Sequence, residues 1–120
     1  MTDMQDWLRI SPEVGATITS IIAESGLPGA DNLLAGLPEA RMSRQTAWIL
    51  DIKTPASSAA TEFADGPFPA RAFVPSGAEY QGEVIIWISD GRVSGIEYAW
   101  ITDTMPTRWP RSDEIEIVRN

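Results

Sequence analysis

The segment Gly82–Asp103, GEVIIWISDGRVSGIEYAWITD, decides the fold of this chain. In it, two apolar runs rich in β-branched and aromatic residues flank the pair Asp90 and Gly91. Such runs favour strands, and an Asp-Gly pair between two strands is typical of a two-residue turn, because both turn positions require a positive φ. The segment therefore predicts a β-hairpin, and with it a sheet.

Side-chain alternation divides this hairpin into two predicted faces. With Asp90 and Gly91 as the turn, Ile88 lies opposite Val93, and opposed residues share a face. The first face is aliphatic, suits a position beneath helices, and comprises Val84, Ile86, Ile88, Val93, Gly95, Glu97, Ala99 and Ile101. The second face is aromatic and comprises Glu83, Ile85, Trp87, Ser89, Arg92, Ser94, Ile96, Tyr98, Trp100 and Thr102.

The aromatic face carries more apolar area than a sheet leaves in water without cost. Two interpretations follow. In one, residues 56–69 or the proline-rich segment that contains Trp109 fold over the face. In the other, Trp87, Tyr98 and Trp100 form a surface for a partner or ligand, since Trp and Tyr are frequent in interface hot spots.

Upstream of the hairpin the apolar residues recur at helical spacing. One helix is predicted to start at the capping box of Thr2 and Gln5 and to continue through Leu8. A second helix is predicted to start at Pro12, capped by Ser11, and to stop at Gly26. Residues 26–40 are predicted to form a loop with one helical turn.

Outside the hairpin, strands are predicted at Thr46–Lys53, Ala70–Val74 and Glu114–Val118, the last as an edge strand. No helix separates the strands. The chain is therefore predicted to be α+β, with N-terminal helices packed on one face of a mostly antiparallel sheet of about five strands. A length of 120 residues suits one domain, spanning residues 1–120.

Composition limits the partners. The formal net charge is −8, from 9 Lys and Arg against 17 Asp and Glu, and the basic residues are scattered. Nucleic acid and anionic membranes require clustered cations, so neither is an expected partner, whereas a basic protein is compatible. No apolar run approaches the roughly 18 residues of a membrane span, and the N-terminus lacks a signal-peptide pattern, so we expect a cytoplasmic protein.

The chain has no cysteine and no histidine. Disulfides, thiolate nucleophiles, imidazole relays and His- or Cys-ligated metals are therefore excluded. Glycine-rich phosphate loops and calcium-loop spacing are also missing. We therefore expect no cofactor and no metal, and an enzyme is the less favoured class.

Two further groups of residues are candidates. The segment Thr102–Pro110 presents Arg108 beside Trp109, as either a binding loop or a stiff connector. Glu97, a carboxylate on the aliphatic face, requires a partner, and Arg71 on a neighbouring strand is the expected one. With Asp103, these two residues could instead surround an aromatic pocket and bind a small molecule or act as an enzyme.

From Trp87 to Pro110 the chain reads W-x-x-DG-x-x-SG-x-EYAW-x-TD-x-x-PT-x-x-P. This run resembles a pattern that recurs in small actinobacterial proteins with no assigned activity. The resemblance implies a bacterial, cytoplasmic protein and transfers no catalytic residue.

The sequence thus favours a non-enzymatic protein-binding domain that uses the aromatic face and that, by analogy, acts on a basic partner as immunity proteins do. A small-molecule-binding domain or enzyme is the alternative. A homodimer through the aromatic face is a third possibility.

Overall fold

The structure of the protein is a computed structural model that describes residues 6–119. In this range an antiparallel sheet of eight strands accompanies two α-helices. The helices are α1 (Pro12–Glu24) and α2 (Ala30–Ala35), and the strands are β1 (Leu8–Arg9), β2 (Arg41–Thr46), β3 (Ile49–Lys53), β4 (Gly66–Pro67), β5 (Ala70–Val74), β6 (Gly82–Ser89), β7 (Arg92–Trp100) and β8 (Glu116–Arg119). The α+β class and the antiparallel sheet are confirmed, but the expectation of about five strands is wrong.

The strands lie in the order β1-β2-β3-β7-β6-β5-β8, and β4 pairs with β6. The sheet combines two hairpins, β2–β3 and β6–β7, which are joined where β3 pairs with β7. The strand β8 follows a short 3₁₀ turn at Ser112–Glu114 and lies at the outer edge beside β5. Its position agrees with the predicted edge strand.

The predicted β6–β7 hairpin is present, with Asp90 and Gly91 as its turn. Asp90 has φ 53° and Gly91 has φ 72°, so both turn residues are left-handed, as a two-residue turn between twisted strands requires. Ile88 pairs with Val93, as predicted.

A β-bulge corrects the predicted faces. Trp87 pairs with Gly95, whereas the next pair toward the turn is Ile88 with Val93, so β7 contains one residue, Ser94, without a partner. The extra residue reverses the alternation of β7 beyond it. Ile96 and Tyr98 therefore join the aliphatic face, while Glu97 moves to the other.

The N-terminal region also differs from the prediction. The capping box at Thr2 and Gln5 lies outside the described residues, but Leu8 and Arg9 form a strand rather than a helix. The segment predicted as one strand, Thr46–Lys53, is divided by a turn at Ala47 and Trp48, and the polar strand β2 precedes it.

Helix α1 follows its predicted bounds closely. Ser11 is the N-cap, and its hydroxyl accepts a hydrogen bond from the Val14 amide at 3.3 Å. The apolar residues Ile18, Ile21 and Ile22 are fully buried and belong to the same hydrophobic cluster as the inward residues of β6 and β7.

Candidate functional site

Three of the predicted binding residues, Tyr98, Trp100 and Trp109, belong to one aromatic cluster around Trp48. The ring centroid of Trp48 lies 5.9 Å from that of Tyr98, 6.4 Å from that of Trp100 and 6.3 Å from that of Trp109. Tyr98 is only 2% exposed, and Trp100 is half-buried. The chain itself thus covers Tyr98.

The Tyr98 hydroxyl is engaged as well. It donates a hydrogen bond to the carbonyl of Tyr80 at 2.8 Å. Burial raises the pKa of this phenol, since an ionised oxygen would lose its hydration, and the carboxylate of Glu114 adds to the effect. The hydroxyl therefore remains a protonated hydrogen-bond donor near neutral pH.

The segment Thr102–Pro110 holds Trp109 against this cluster. The Trp109 indole nitrogen donates a hydrogen bond to the carbonyl of Ala47 at 2.9 Å, in the β2–β3 turn. Pro106 and Pro110 are both buried. This geometry is that of a stiff connector whose tryptophan anchors the C-terminal region to the sheet.

Arg108, the charged candidate of this segment, is committed to carboxylates of its own chain. Its Nη1 lies 2.8 Å from Oε1 of Glu114, its Nη2 lies 3.1 Å from Oε2 of the same carboxylate, and Glu79 lies 3.6 Å away. The hydrogen bonds from Arg108, followed by one from the Arg111 amide, lower the pKa of Glu114 to about 2. This bidentate pair fixes the C-terminal segment.

Trp87 differs from the other aromatic candidates because it lies on the opposite side of the sheet and is 36% exposed. Its indole nitrogen donates a hydrogen bond to Oε1 of Glu97 at 3.3 Å. Directly opposite is Gly95, which leaves the indole without a side-chain neighbour at that position. We call the surrounding half-buried or exposed surface the Trp87 face; it consists of Arg71, Phe73, Glu83, Ile85, Trp87, Glu97 and Ala99.

The expected ion pair between Glu97 and Arg71 does not form. Arg71 instead makes a bidentate pair with Glu83, with Nε–Oε1 at 2.8 Å and Nη2–Oε2 at 3.1 Å. The register places Ile85 between Arg71 and Glu97, so the two charged residues are two strands apart. Two strand spacings separate their backbones by roughly 10 Å, and the guanidinium group of Arg71 is already paired with Glu83 on the strand between them.

The residues of the predicted small-molecule pocket are therefore dispersed. Arg71 is paired with Glu83, Glu97 accepts from Trp87, and Asp103 is exposed beyond the end of β7. Within residues 6–119, no three acidic side chains are grouped in a way that could bind a metal ion. A shallow depression of about 380 Å³ adjoins Trp87, Arg71 and Glu83, but its lining does not include Glu97.

One interpretation of the sequence expected residues 56–69 to fold over the aromatic face. They pack mainly on the hairpin turn, although Phe68 is buried in the hydrophobic cluster that contains Tyr98. The Thr61 amide donates to the carbonyl of Gly91 at 3.0 Å, and the Asp90 amide donates to Oδ1 of Asp65 at 2.8 Å. Arg92 donates two hydrogen bonds to the carbonyl of Ser58 and one to that of Ala56. A dozen residues without regular structure are thus ordered by the tip of the hairpin.

Comparison with known proteins gives no relative for this arrangement: no family model matches the chain, and no curated protein or solved structure matches it. Between Asp6 and Arg119, no helix combines the length and the apolar character that a membrane crossing requires.

Proposed function

We propose that the protein is a non-enzymatic binding domain that uses the Trp87 face to hold a basic protein partner. The observation that supports this function is the exposed indole of Trp87, whose N–H group is directed to the half-buried carboxylate of Glu97. Large aromatic side chains on an open sheet face are frequent anchors of protein interfaces.

The opposite side of the sheet is not a competing surface. Its residues, among them Val84, Ile86 and Tyr98, are buried and share one hydrophobic cluster with Ile18 and Leu33 of the helices. We infer that α1 and α2 cover that side. The Trp87 face is then the side of the sheet that remains for a partner.

Charge favours a basic partner over a second copy of the chain. The protein has a formal net charge of −8, so two copies repel each other, whereas a cationic surface is attracted. Trp87 and Glu97 together suit a Lys or Arg side chain, since the indole face attracts cations and the carboxylate can pair with them. A basic toxin is one partner of this chemistry, by analogy with immunity proteins.

Titration with two synthetic peptides tests the proposal: one alternating Lys and Leu, the other alternating Glu and Leu. The readout is the indole N–H resonance of Trp87, identified by its loss in Trp87→Phe. We expect the basic peptide alone to shift this resonance. Trp87→Ala and Glu97→Gln should each weaken binding about tenfold, as for a central interface residue.

The control variant is Glu13→Gln, which makes the same charge change at an exposed position of α1. Equal weakening by Glu13→Gln and Glu97→Gln would mean that only the overall charge attracts the peptide, and it would refute a site at Trp87. Sedimentation provides a second check. A stable dimer that Trp87→Ala dissociates would assign the face to a second copy instead.

The alternative, a small-molecule pocket or active site built from Glu97, Arg71 and Asp103, has no observation in its favour. These side chains have separate partners or surroundings, and the depression that Arg71 lines includes neither Glu97 nor Asp103.

A further inference from the structure

An open groove of about 970 Å³ is lined by residues of the first strand, the helices and the segments beside them, and none of these residues belongs to the Trp87 face. Its walls include the apolar residues Ile10, Leu34 and Leu37, together with the hydroxyl-bearing residues Thr19 and Ser57. A volume of this order is at the upper end of the range for sites that bind small organic molecules.

Two arginines line this groove, although the chain as a whole is strongly acidic. Arg9 of β1 and Arg41 of β2 both belong to the lining, and they are directly opposite each other in the β1–β2 register. Residues opposed in this way have Cβ atoms roughly 5 Å apart, so the two positive charges repel. Lys53 extends the cationic row, because it is opposite Arg41 on the other side.

No acidic side chain within residues 6–119 forms an ion pair with Arg9 or Arg41, whereas Arg71, Arg92, Arg108 and Arg111 all have one. The acidic residue in the groove lining is Glu39, which is exposed. Within the part of the chain that the structure describes, no carboxylate is therefore paired with either of these two guanidinium groups.

We propose that this groove binds an organic oxyanion, a carboxylate or phosphate ester carried on an apolar body. Guanidinium groups bind both oxyanions through paired N–H groups, and two of them suit a charged group with several oxygens. The apolar walls provide the surface for the remainder of the ligand. The inference is independent of the Trp87 face, and the two sites can succeed or fail separately.

Calorimetric titration with four probes tests the proposal: phenyl phosphate, benzoate, inorganic phosphate and benzyl alcohol. We expect saturable binding of phenyl phosphate or benzoate, and their relative affinities identify the preferred oxyanion. Inorganic phosphate should bind at least about tenfold more weakly than phenyl phosphate because it lacks an apolar body. Benzyl alcohol, which lacks a charge, should not bind measurably.

Three kinds of variant assign the binding to the groove. Arg9→Gln and Arg41→Gln should each weaken binding about tenfold, since each removes a charged hydrogen-bond donor. Arg44→Gln is the matched control: Arg44 is also on β2 and exposed, but it is three residues from Arg41 and does not line the groove. Glu39→Gln should strengthen binding about threefold, because it removes a repelling carboxylate.

Gly15→Leu is a fourth kind of variant, one that leaves all charges in place. Gly15 lines the groove from α1, and a Cβ there would meet Ile10 Cγ2 at 3.6 Å, an ordinary contact. A leucine at this helical position should fold and fill part of the cavity.

The proposal is overturned if neither phenyl phosphate nor benzoate binds saturably to the wild-type protein. It is equally overturned if their binding persists in both Arg9→Gln and Gly15→Leu, or if Arg44→Gln weakens it as much as Arg41→Gln does. Equal affinity for inorganic phosphate and phenyl phosphate would also contradict it, because the apolar walls would then have no part in recognition.

Discussion

Arg92 in β7 donates hydrogen bonds to the carbonyl of Ser58 from both Nε and Nη2, at 3.1 and 2.6 Å. The same guanidinium also donates to the carbonyls of Ala56 and Asp90, at 3.1 and 3.2 Å. A planar group with five donors can satisfy several carbonyls of an irregular segment at once. One side chain in the hairpin therefore organises the long loop that precedes β4.

Arg92→Lys should destabilise the protein by about 1 to 3 kcal/mol, because an ammonium group cannot reproduce the fork of donors and partly buried carbonyls lose their partners. The free energy of unfolding in urea measures this loss. Cleavage of the loop by a protease should also become faster. Arg111→Lys, at a more exposed arginine, should change stability by less than about 0.5 kcal/mol; equal losses in the two variants would contradict the role of Arg92.

Glu114 should make stability depend on pH in the acid range. Its pKa is about 2 in the folded protein, compared with 4.5 for the ordinary carboxyl group. A lowered folded-state pKa contributes stability that is complete above about pH 5 and is lost as pH falls from 4.5 toward 2. Solvent reaches the pair, so we expect a contribution of about 1 to 2 kcal/mol.

Urea unfolding of the wild-type protein and of Glu114→Gln, repeated from pH 7 to pH 2.5, checks this expectation. The difference in unfolding free energy should be largest near neutrality and should shrink as the pH falls. Glu116→Gln, at an exposed residue of β8, is the control and should give a smaller difference. A constant difference for Glu114→Gln across the whole range would contradict the assignment.

Arg41 lies between two other cations in its cross-strand row, opposite Arg9 on one side and Lys53 on the other. Arg41→Gln should therefore raise stability by about 0.2 to 1 kcal/mol, since directly opposed like charges destabilise a sheet. The gain should decline in high salt, which screens exposed charges. Arg44→Gln makes the same change in net charge opposite Leu50 and should give no such gain; a gain of equal size there would argue against local repulsion.

Trp109→Phe and Trp87→Phe form a matched pair of variants. The indole of Trp109 packs on Trp48 and Tyr98 and donates to the Ala47 carbonyl, whereas Trp87 is on the exposed Trp87 face. We expect Trp109→Phe to cost about 1 to 3 kcal/mol, from lost packing and an unsatisfied carbonyl, and Trp87→Phe to cost less than about 1 kcal/mol. Unfolding in urea separates the two, and the reverse order would refute the described positions of these rings.

Much of the fold could be predicted from local sequence signals. The Asp90 and Gly91 turn, the capped helix from Pro12 and the alternating edge strand β8 each carry their own pattern. The strands β1 and β2 do not. Leu8 and Arg9 form a strand because Met42 and Arg41 pair with them. The local sequence around residues 8 and 9 therefore does not by itself indicate a strand.

The candidate site was predicted less well, for one physical reason. Trp87 is exposed, as one interpretation of the sequence allowed, but Tyr98 and Trp100 do not share its face. Strict alternation counted from the turn places all three side chains on one face. Alternation alone cannot reveal that a strand contains one extra residue. Gly95 is the weak signal that was present, since a glycine inside a strand often marks a bulge.

At the bulge, the number of residues in β7 matters more than which residue occupies position 94. Replacing Ser94 by Ala or Thr leaves the count of residues intact, so we expect at most a small loss of stability. Deleting Ser94 would instead rotate the rest of β7 by half a pleat, which presents Tyr98 to water and Glu97 to the hydrophobic cluster. We therefore expect position 94 to tolerate substitution but not deletion. Circular dichroism spectra of the substituted and the deleted variant would show this difference in folding.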